Sequence, residues 1–267
     1  MDVRKTYKLY VAGEFIRSES GRSYRPNGSA NFPRGSRKDL REAVRAARGA
    51  FTGWSARTAY NRGQILYRAA EMLDARSAEF VELLGTGAKA KREVGTAVDA
   101  FVWYAGWADK IAQVAGSVNP VSGPYFNFTI AEPTGVVGVI APDEPALLGL
   151  VQRVAPILCG GNVVVALASE SEPAPALVLG EVLATSDLPS GVVNMISGRR
   201  AELMPWLADH MDVNAVEISA CTSDERREVE RRGAENVKRI ASIDERLSPH
   251  AITAFMEMKT VWHPIGQ

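Results

Sequence analysis

The sequence predicts an α/β fold, a parallel sheet covered by helices on both faces and preceded by a helical segment. Three observations carry this. Short apolar runs recur through the second half of the chain, at 135–141 (GVVGVIA), 162–168 (NVVVALA), 192–197 (VVNMIS), 215–219 (AVEIS) and 239–243 (RIASI). The first of these runs is continuous rather than alternating and ends at Pro142, which suits a strand buried on both faces. Segments of helical length separate them, at 147–158, 174–184, 201–208 and 223–236. Strand and helix in that alternation require right-handed crossovers and a parallel sheet.

The first half reads differently. Residues 8–17 (KLYVAGEFIR) form two short strands turning at Ala12-Gly13, a hairpin at the domain edge. Residues 21–35 hold Gly, Pro, Ser and Asn without periodicity and read as a loop. Ser36 caps a helix running to about Gly53, with Leu40, Val44, Ala47 and Phe51 on its apolar face. Further helices are expected over 61–73 and 79–84. A fourth ends in 101–114 (FVWYAGWADKIAQV), and the pattern leaves open whether it continues the third, because 85–90 (GTGAKA) interrupts it.

Composition excludes several classes of function. Across 267 residues, 31 Lys plus Arg balance 31 Asp plus Glu, so nothing favours nucleic acid, an anionic membrane or a polyanionic substrate. The mixed run 223–230 (SDERREVE) is a solvated helix face. Cys159 and Cys221 make no CxxC motif, and His210, His250 and His263 lack metal-ligand spacing, so no metal is expected. No apolar stretch reaches the ~18 residues of a membrane span. The opening MDVRKTYKLY has no apolar core behind its basic residues, so no signal peptide is expected and a cytoplasmic location is.

Several segments resemble the aldehyde dehydrogenase superfamily, in the family's order: 10–17 (YVAGEFIR), 43–54 (AVRAARGAFTGW), 62–73 (RGQILYRAAEML), 104–110 (YAGWADK), 132–142 (EPTGVVGVIAP), 154–165 (VAPILCGGNVVV), 188–194 (LPSGVVN) and 236–239 (NVKR). The resemblance implies a Rossmann-like cofactor-type domain over 1–119 and 135–248, with a β oligomerisation arm over 120–134 and 249–267. In the family, the segment resembling 236–249 leads into a catalytic domain with the nucleophilic cysteine. Here 254–262 (AFMEMKTVW) instead resembles the family's C-terminal strand, as if the catalytic domain had been removed internally. The pattern most resembles the short second module of two-module, class 16-type aldehyde dehydrogenases.

The resemblance also assigns chemistry position by position. Aldehyde oxidation in the family needs a thiolate, an oxyanion donor, NAD(P) and a carboxylate base. The nucleophile's segment has no counterpart. The family's oxyanion Asn falls on Glu144 in PDEPA, an acceptor with no N–H to give. The general-base Glu falls on Ile243, with Asp244 and Glu245 out of register. Cys221 stands near an expected helix start, which lowers a thiol pKa, yet it aligns with the loop facing the cofactor pyrophosphate. A structural role is favoured for it, and buried packing for Cys159.

For the cofactor, the family's ribose-binding Lys falls on Leu167, while the Glu three residues later is kept as Glu170. The Gly-Ser pair beside the pyrophosphate reads Ala220-Cys221, though Cys221 and Thr222 are expected to offer N–H groups at a helix start. These changes remove about 100-fold or more in affinity, so no cofactor is expected and any NAD(P) binding is weak. Trp103, Tyr104 and Trp107 read as packing, and Arg199-Arg200 as a solvated loop.

The resulting expectation is a non-catalytic homologue acting as a structural or regulatory subunit through its arm. It would form a homodimer, or a hetero-oligomer with a full-length aldehyde dehydrogenase, through the alternating Phe126, Phe128 and Ile130 with Met256, Met258 and Val261. The alternatives are an NAD(P)-dependent aldehyde oxidoreductase and an NAD(P)-binding sensor without turnover.

Overall fold

A computed structural model describes residues 5–28, 30–243 and 247–266. Strands β1 (Leu9–Val11) and β2 (Glu14–Ile16) form the expected hairpin, in register Leu9↔Ile16. Its turn residues Ala12 and Gly13 are both left-handed, at φ 56° and 79°. A Cβ on Gly13 would lie 2.4 Å from the Ser190 hydroxyl, so only glycine fits.

The stretch expected to be a plain loop contains a short pair, β3 (Ser23–Tyr24) and β4 (Phe32–Pro33). Tyr24 and Phe32 bury themselves against Ala174 and Leu177. Strands of two residues carry no periodicity for a sequence reading to detect.

Helix α1 (Arg37–Ser55) starts with a capping box: Ser36 Oγ accepts from the Asp39 amide, and Asp39 accepts from the Ser36 amide at 2.8 Å. Asp39 is itself buried, accepting from Ser18 Oγ and the Glu19 amide as well. Helices α2 (Ala59–Ala75), α3 (Ser77–Leu83) and α4 (Gly87–Trp107) follow. The question left open between α3 and α4 resolves as a break, because Gly85, Thr86 and Gly87 all take positive φ. The expected helical run over 101–114 is also two pieces, with α5 (Ile111–Ala115) starting after a turn.

Next come β5 (Ser117–Asn119), β6 (Tyr125–Pro133), β7 (Val136–Ile140), α6 (Ala146–Cys159), β8 (Val163–Leu167), α7 (Ala174–Ala184) and β9 (Val193–Ile196). The chain ends with α8 (Arg200–Asp209), β10 (Ala215–Glu217), α9 (Ser223–Gly233), β11 (Arg239–Ala241), α10 (Pro249–Thr253) and β12 (Met256–Pro264).

The main sheet runs β11-β10-β7-β8-β9-β1-β2. Its four pairings from β11 to β9 are parallel, as the apolar runs predict, and β1 joins antiparallel through Tyr10↔Met195. Every residue of β7, β8, β9 and β10 is buried. The chain steps from β7 through β8 to β9, then returns to place β10 on the other side of β7. That reversal opens a crevice beyond the C-terminal ends of β7 and β10, where open α/β sheets bind ligands.

A second sheet, β12-β6-β5, stands apart as the arm. β12 and β6 pair over nine positions, from Met256↔Pro133 to Pro264↔Tyr125. Directly opposed residues share a face, so Val118, Phe126, Phe128, Ile130 and Val261 line one side. Met256 and Met258 lie on the other side with Tyr125 and Trp262, which corrects their grouping with Val261. Residues 249–255, grouped with the arm by sequence, place Ala251, Ile252 and Phe255 in the core beside α6, while β5 is an arm strand. No helix among the described residues is long and apolar enough to cross a membrane.

Candidate functional site: the rim of the parallel sheet

Four helices begin at the C-terminal rim of the sheet: α6, α7, α8 and α9. A helix start carries unpaired N–H groups and the positive end of the dipole, so such a rim is suited to anions. Here the chain's own carboxylates take these positions. Glu93, from α4, accepts from the Leu147 and Leu148 amides at the start of α6, at 2.9 and 3.2 Å. Glu170 accepts from the Arg200 amide at the start of α8, at 2.7 Å. At α9, Thr222 and Glu225 form a capping box in which Glu225 takes the Thr222 amide at 2.8 Å. The start of α7 has Pro173 and Pro175, which have no N–H.

Arg200 lies across the crevice itself. Its guanidinium donates to the Ala141 carbonyl beyond β7 at 2.8 Å and reaches the Ala220 carbonyl beyond β10 at 3.4 Å. Glu225 stands 3.7 Å away, and the Arg200 side chain is only 14% exposed. This corrects the expectation of a solvated Arg199-Arg200 loop. Arg199 pairs with Glu170 at 2.7 Å and sits over the Tyr24 ring. Neighbouring Asp143 accepts from Ser169 Oγ at 2.6 Å. Burial opposes its ionisation, but the Ser169 and Ser171 donors and the Arg200 charge outweigh it and lower its pKa.

The structure distributes the sequence-assigned positions as follows. Leu167 ends β8 and is buried, offering no charge to the rim. Ala220 presents its carbonyl to Arg200. The amides expected at Cys221 and Thr222 are engaged, the first with the Ile218 carbonyl at 3.0 Å and the second with Glu225. Burial, then the Glu225 carboxylate, pushes the Cys221 thiol up to about 12, opposite to the direction that a helix start alone gives. Cys159 is buried and likewise raised to about 12 by burial. Its sulfur donates to the Tyr104 carbonyl.

Glu144 is exposed and ion-paired with Lys89, in an open cleft of about 440 Å³ shared with Glu93, Asp143 and Glu172. Its hydrogen bond and charge contact with Lys89 hold its pKa low. Ile243 is buried, and its amide donates to Glu217 at 3.0 Å. Asp244 and Glu245 lie outside the described residues. No cluster of metal-ligating side chains occurs among the described residues.

One feature of the rim escaped the sequence reading. Glu217 is fully buried at the end of β10, where it accepts from Arg153 at 3.0 Å and from the Ser219 and Ile243 amides. Arg153, also buried, donates in addition to Ser219 Oγ and the Gly149 carbonyl. A signal was present: each is a lone charge in an apolar run, AVEIS and LLGLVQRVAPILC, and lone charges there are buried in pairs.

A dinucleotide fits these residues poorly. Its pyrophosphate would meet carboxylates at the helix starts and a bound guanidinium in the crevice, with no lysine for the ribose at Leu167.

Comparison with known proteins places the fold. The aldehyde dehydrogenase family model matches residues 22–260. Omega-crystallin of Enteroctopus dofleini is 30% identical, over 88% of this chain and 50% of its own length. Retinal dehydrogenase 2 of Gallus gallus is 32% identical, over 90% and 48%. Among solved structures, PnpE from Pseudomonas sp. WBC-3 superimposes with a TM-score of 0.83 at 30% identity, over 89% of this chain and 50% of its own. PnpE in complex with nicotinamide adenine dinucleotide gives the same TM-score at 29% identity. The chain spans about half the length of the curated relatives it matches. The family match and the shared Rossmann-like sheet establish that this chain belongs to the aldehyde dehydrogenase family.

Proposed function

We propose that this chain is a non-catalytic relative of the aldehyde dehydrogenases, a structural or regulatory subunit that assembles through its arm. The observation that carries this reading is Arg200 lodged in the switch-point crevice, with Glu225 beside it and the helix starts capped by the chain's own carboxylates. Among the described residues, nothing at the rim offers the chemistry of aldehyde oxidation. Glu144 is tied to Lys89, Ile243 carries no proton-transfer group, and neither thiol is ionised near neutral pH. Between β11 and β12 the chain has only residues 242–255, too few for the catalytic domain that the family resemblance places there. The arm is what remains to act, with Phe126 and Ile130 exposed on one face and Met258 and Trp262 on the other.

Calorimetric titration of NAD+ and NADP+ tests the first half. The expected result is no heat at millimolar cofactor, with binding gained by the variant Leu167→Lys/Ala220→Gly/Arg200→Ala. Micromolar binding by the natural chain would overturn the reading. A sensor without turnover, which the NAD-bound PnpE neighbour favours, would then lead. Aldehyde-dependent NADH production would instead select a working oxidoreductase. Co-expression with a full-length aldehyde dehydrogenase, followed by sizing, tests the heteromeric form of assembly. Separate elution of the two chains would end it.

A further inference from the structure

We propose that the arm joins two copies of this chain edge to edge through β12, in a two-fold register centred on Thr260, making one continuous six-stranded sheet. This rests on the assembly reading above and specifies its partner and geometry.

β12 is the edge strand of the arm sheet, and all nine of its residues pair with β6 on one side only. Its outer side therefore presents a long row of backbone donors and acceptors, a template for another strand. Natural edge strands guard against pairing with proline, bulges or a run of like charges. β12 has none of these over 256–263: its only proline is the terminal Pro264, its pairing with β6 is unbroken, and its charges are Glu257 and Lys259, of opposite sign.

A second copy fits this edge better than an unrelated strand because the side chains complement themselves. A two-fold axis normal to the sheet keeps each face continuous, so opposed residues must differ by an even number. That leaves three central registers. Centring on Lys259 sets two lysines opposite each other. Centring on Val261 sets Lys259 opposite His263. Centring on Thr260 sets Glu257 opposite His263 and Met258 opposite Trp262, with Lys259 opposite Val261. Only this last register keeps Lys259 from facing another basic side chain and also matches an acid with a base and an apolar pair. Met258 and Trp262 are 48% and 58% exposed in the single chain, so the pairing covers side chains that are open to water. Lys259 keeps its Glu132 partner and Glu257 its Arg239 partner within each copy. On the opposite face, the Val118, Phe126, Phe128 and Ile130 clusters of the two copies flank a central strip of Glu257, Lys259, Val261 and His263.

The register is tested by disulfide trapping in a Cys221→Ser background, with light scattering giving the mass of the uncrosslinked chain. Thr260→Cys, opposite its own copy, is expected to convert most of the chain to a reducible dimer. Lys259→Cys and Val261→Cys, each displaced from its own copy, leave most of it uncrosslinked. Met258→Lys and Trp262→Lys, which keep β12 paired with β6, are expected to shift the native mass from dimer to monomer. A dimer that traps at another position overturns the register while leaving assembly intact. A chain monomeric by light scattering at all concentrations overturns self-pairing, and the co-expression experiment then decides separately whether the arm serves a full-length partner.

Discussion

The Arg200 guanidinium donates to the Ala141 carbonyl at 2.8 Å, tying the start of α8 to the end of β7 across the point where the sheet reverses direction. A positive side chain that is already paired and nearly buried does not serve as a phosphate ligand without giving up these bonds. The crevice is thus closed by a residue of the same chain, and the other rim contacts follow the same pattern.

Removing that residue separates closure from stability. Arg200→Ala is expected to lower stability by about 1–3 kcal/mol, read by chemical denaturation, because the Ala141 carbonyl loses its donor. By itself it gives no measurable NAD+ affinity, since Glu225 and Leu167 remain. Leu167→Lys/Ala220→Gly with Arg200 in place binds roughly 100-fold more weakly than the same pair with Arg200→Ala, by calorimetry.

Glu217 is fully buried and accepts from three donors. Glu217→Ala leaves Arg153 charged and unpaired in the interior, and a loss of about 3–5 kcal/mol is expected. Glu217→Gln keeps an oxygen for the Ser219 and Ile243 amides and loses less. Urea unfolding of both variants checks the order, and equal losses would contradict the proposed role of the two amides.

The Cys221 thiol gives a pH dependence with a definite sign. Its folded pKa of about 12 lies above the ordinary 9.0. Between those values the unfolded chain releases a proton that the folded chain keeps, so stability present below pH 9 is lost as pH rises. Urea midpoints at pH 8 and 10 are expected to fall further for the natural chain than for Cys221→Ala. The difference is under about 1 kcal/mol, because the partly exposed sulfur is screened by water. Cys159 contributes in the same direction and remains in both proteins. At pH 7.5 a thiol reagent modifies Cys221 far more slowly in the folded chain than in urea.

Glu93 accepts both the Leu147 and Leu148 amides at the start of α6 through one carboxylate oxygen. Glu93→Ala is expected to cost about 0.5–2 kcal/mol, with Glu93→Gln retaining part of it through its remaining carbonyl. Thermal unfolding of the two variants reads the difference. A neutral Glu93→Ala would show that water caps this helix equally well.

Much of the fold was legible because its signals are local. Continuous apolar runs located the parallel strands within a residue or two, and Ser36 located the start of α1. What the sequence hid is set by distant pairing. Two-residue strands such as β3 have too few positions to show a period. The face assignment of Met258 against Val261 follows from register with β6 and not from alternation along β12 alone. At the rim, Leu167, Ala220 and Glu144 were visible as departures from a resembled pattern. The engagement of the Thr222 amide by Glu225, and the reach of Arg200 to Ala141, depend on where three loops meet. A thiol beside a helix start reads as acidic in sequence, whereas burial and Glu225 make Cys221 the reverse.

The pairing of β6 with β12 also has a kinetic consequence. Residues 134–255 separate the two strands, so the arm closes a very long loop, bringing Pro133 beside Met256. Such a contact gains nothing until the intervening chain is already compact. The parallel sheet must therefore collapse first, and β6 waits with only the short β5 alongside it. The proposed assembly through β12 would consequently be the final event on the path, available only to a molecule whose core is already built.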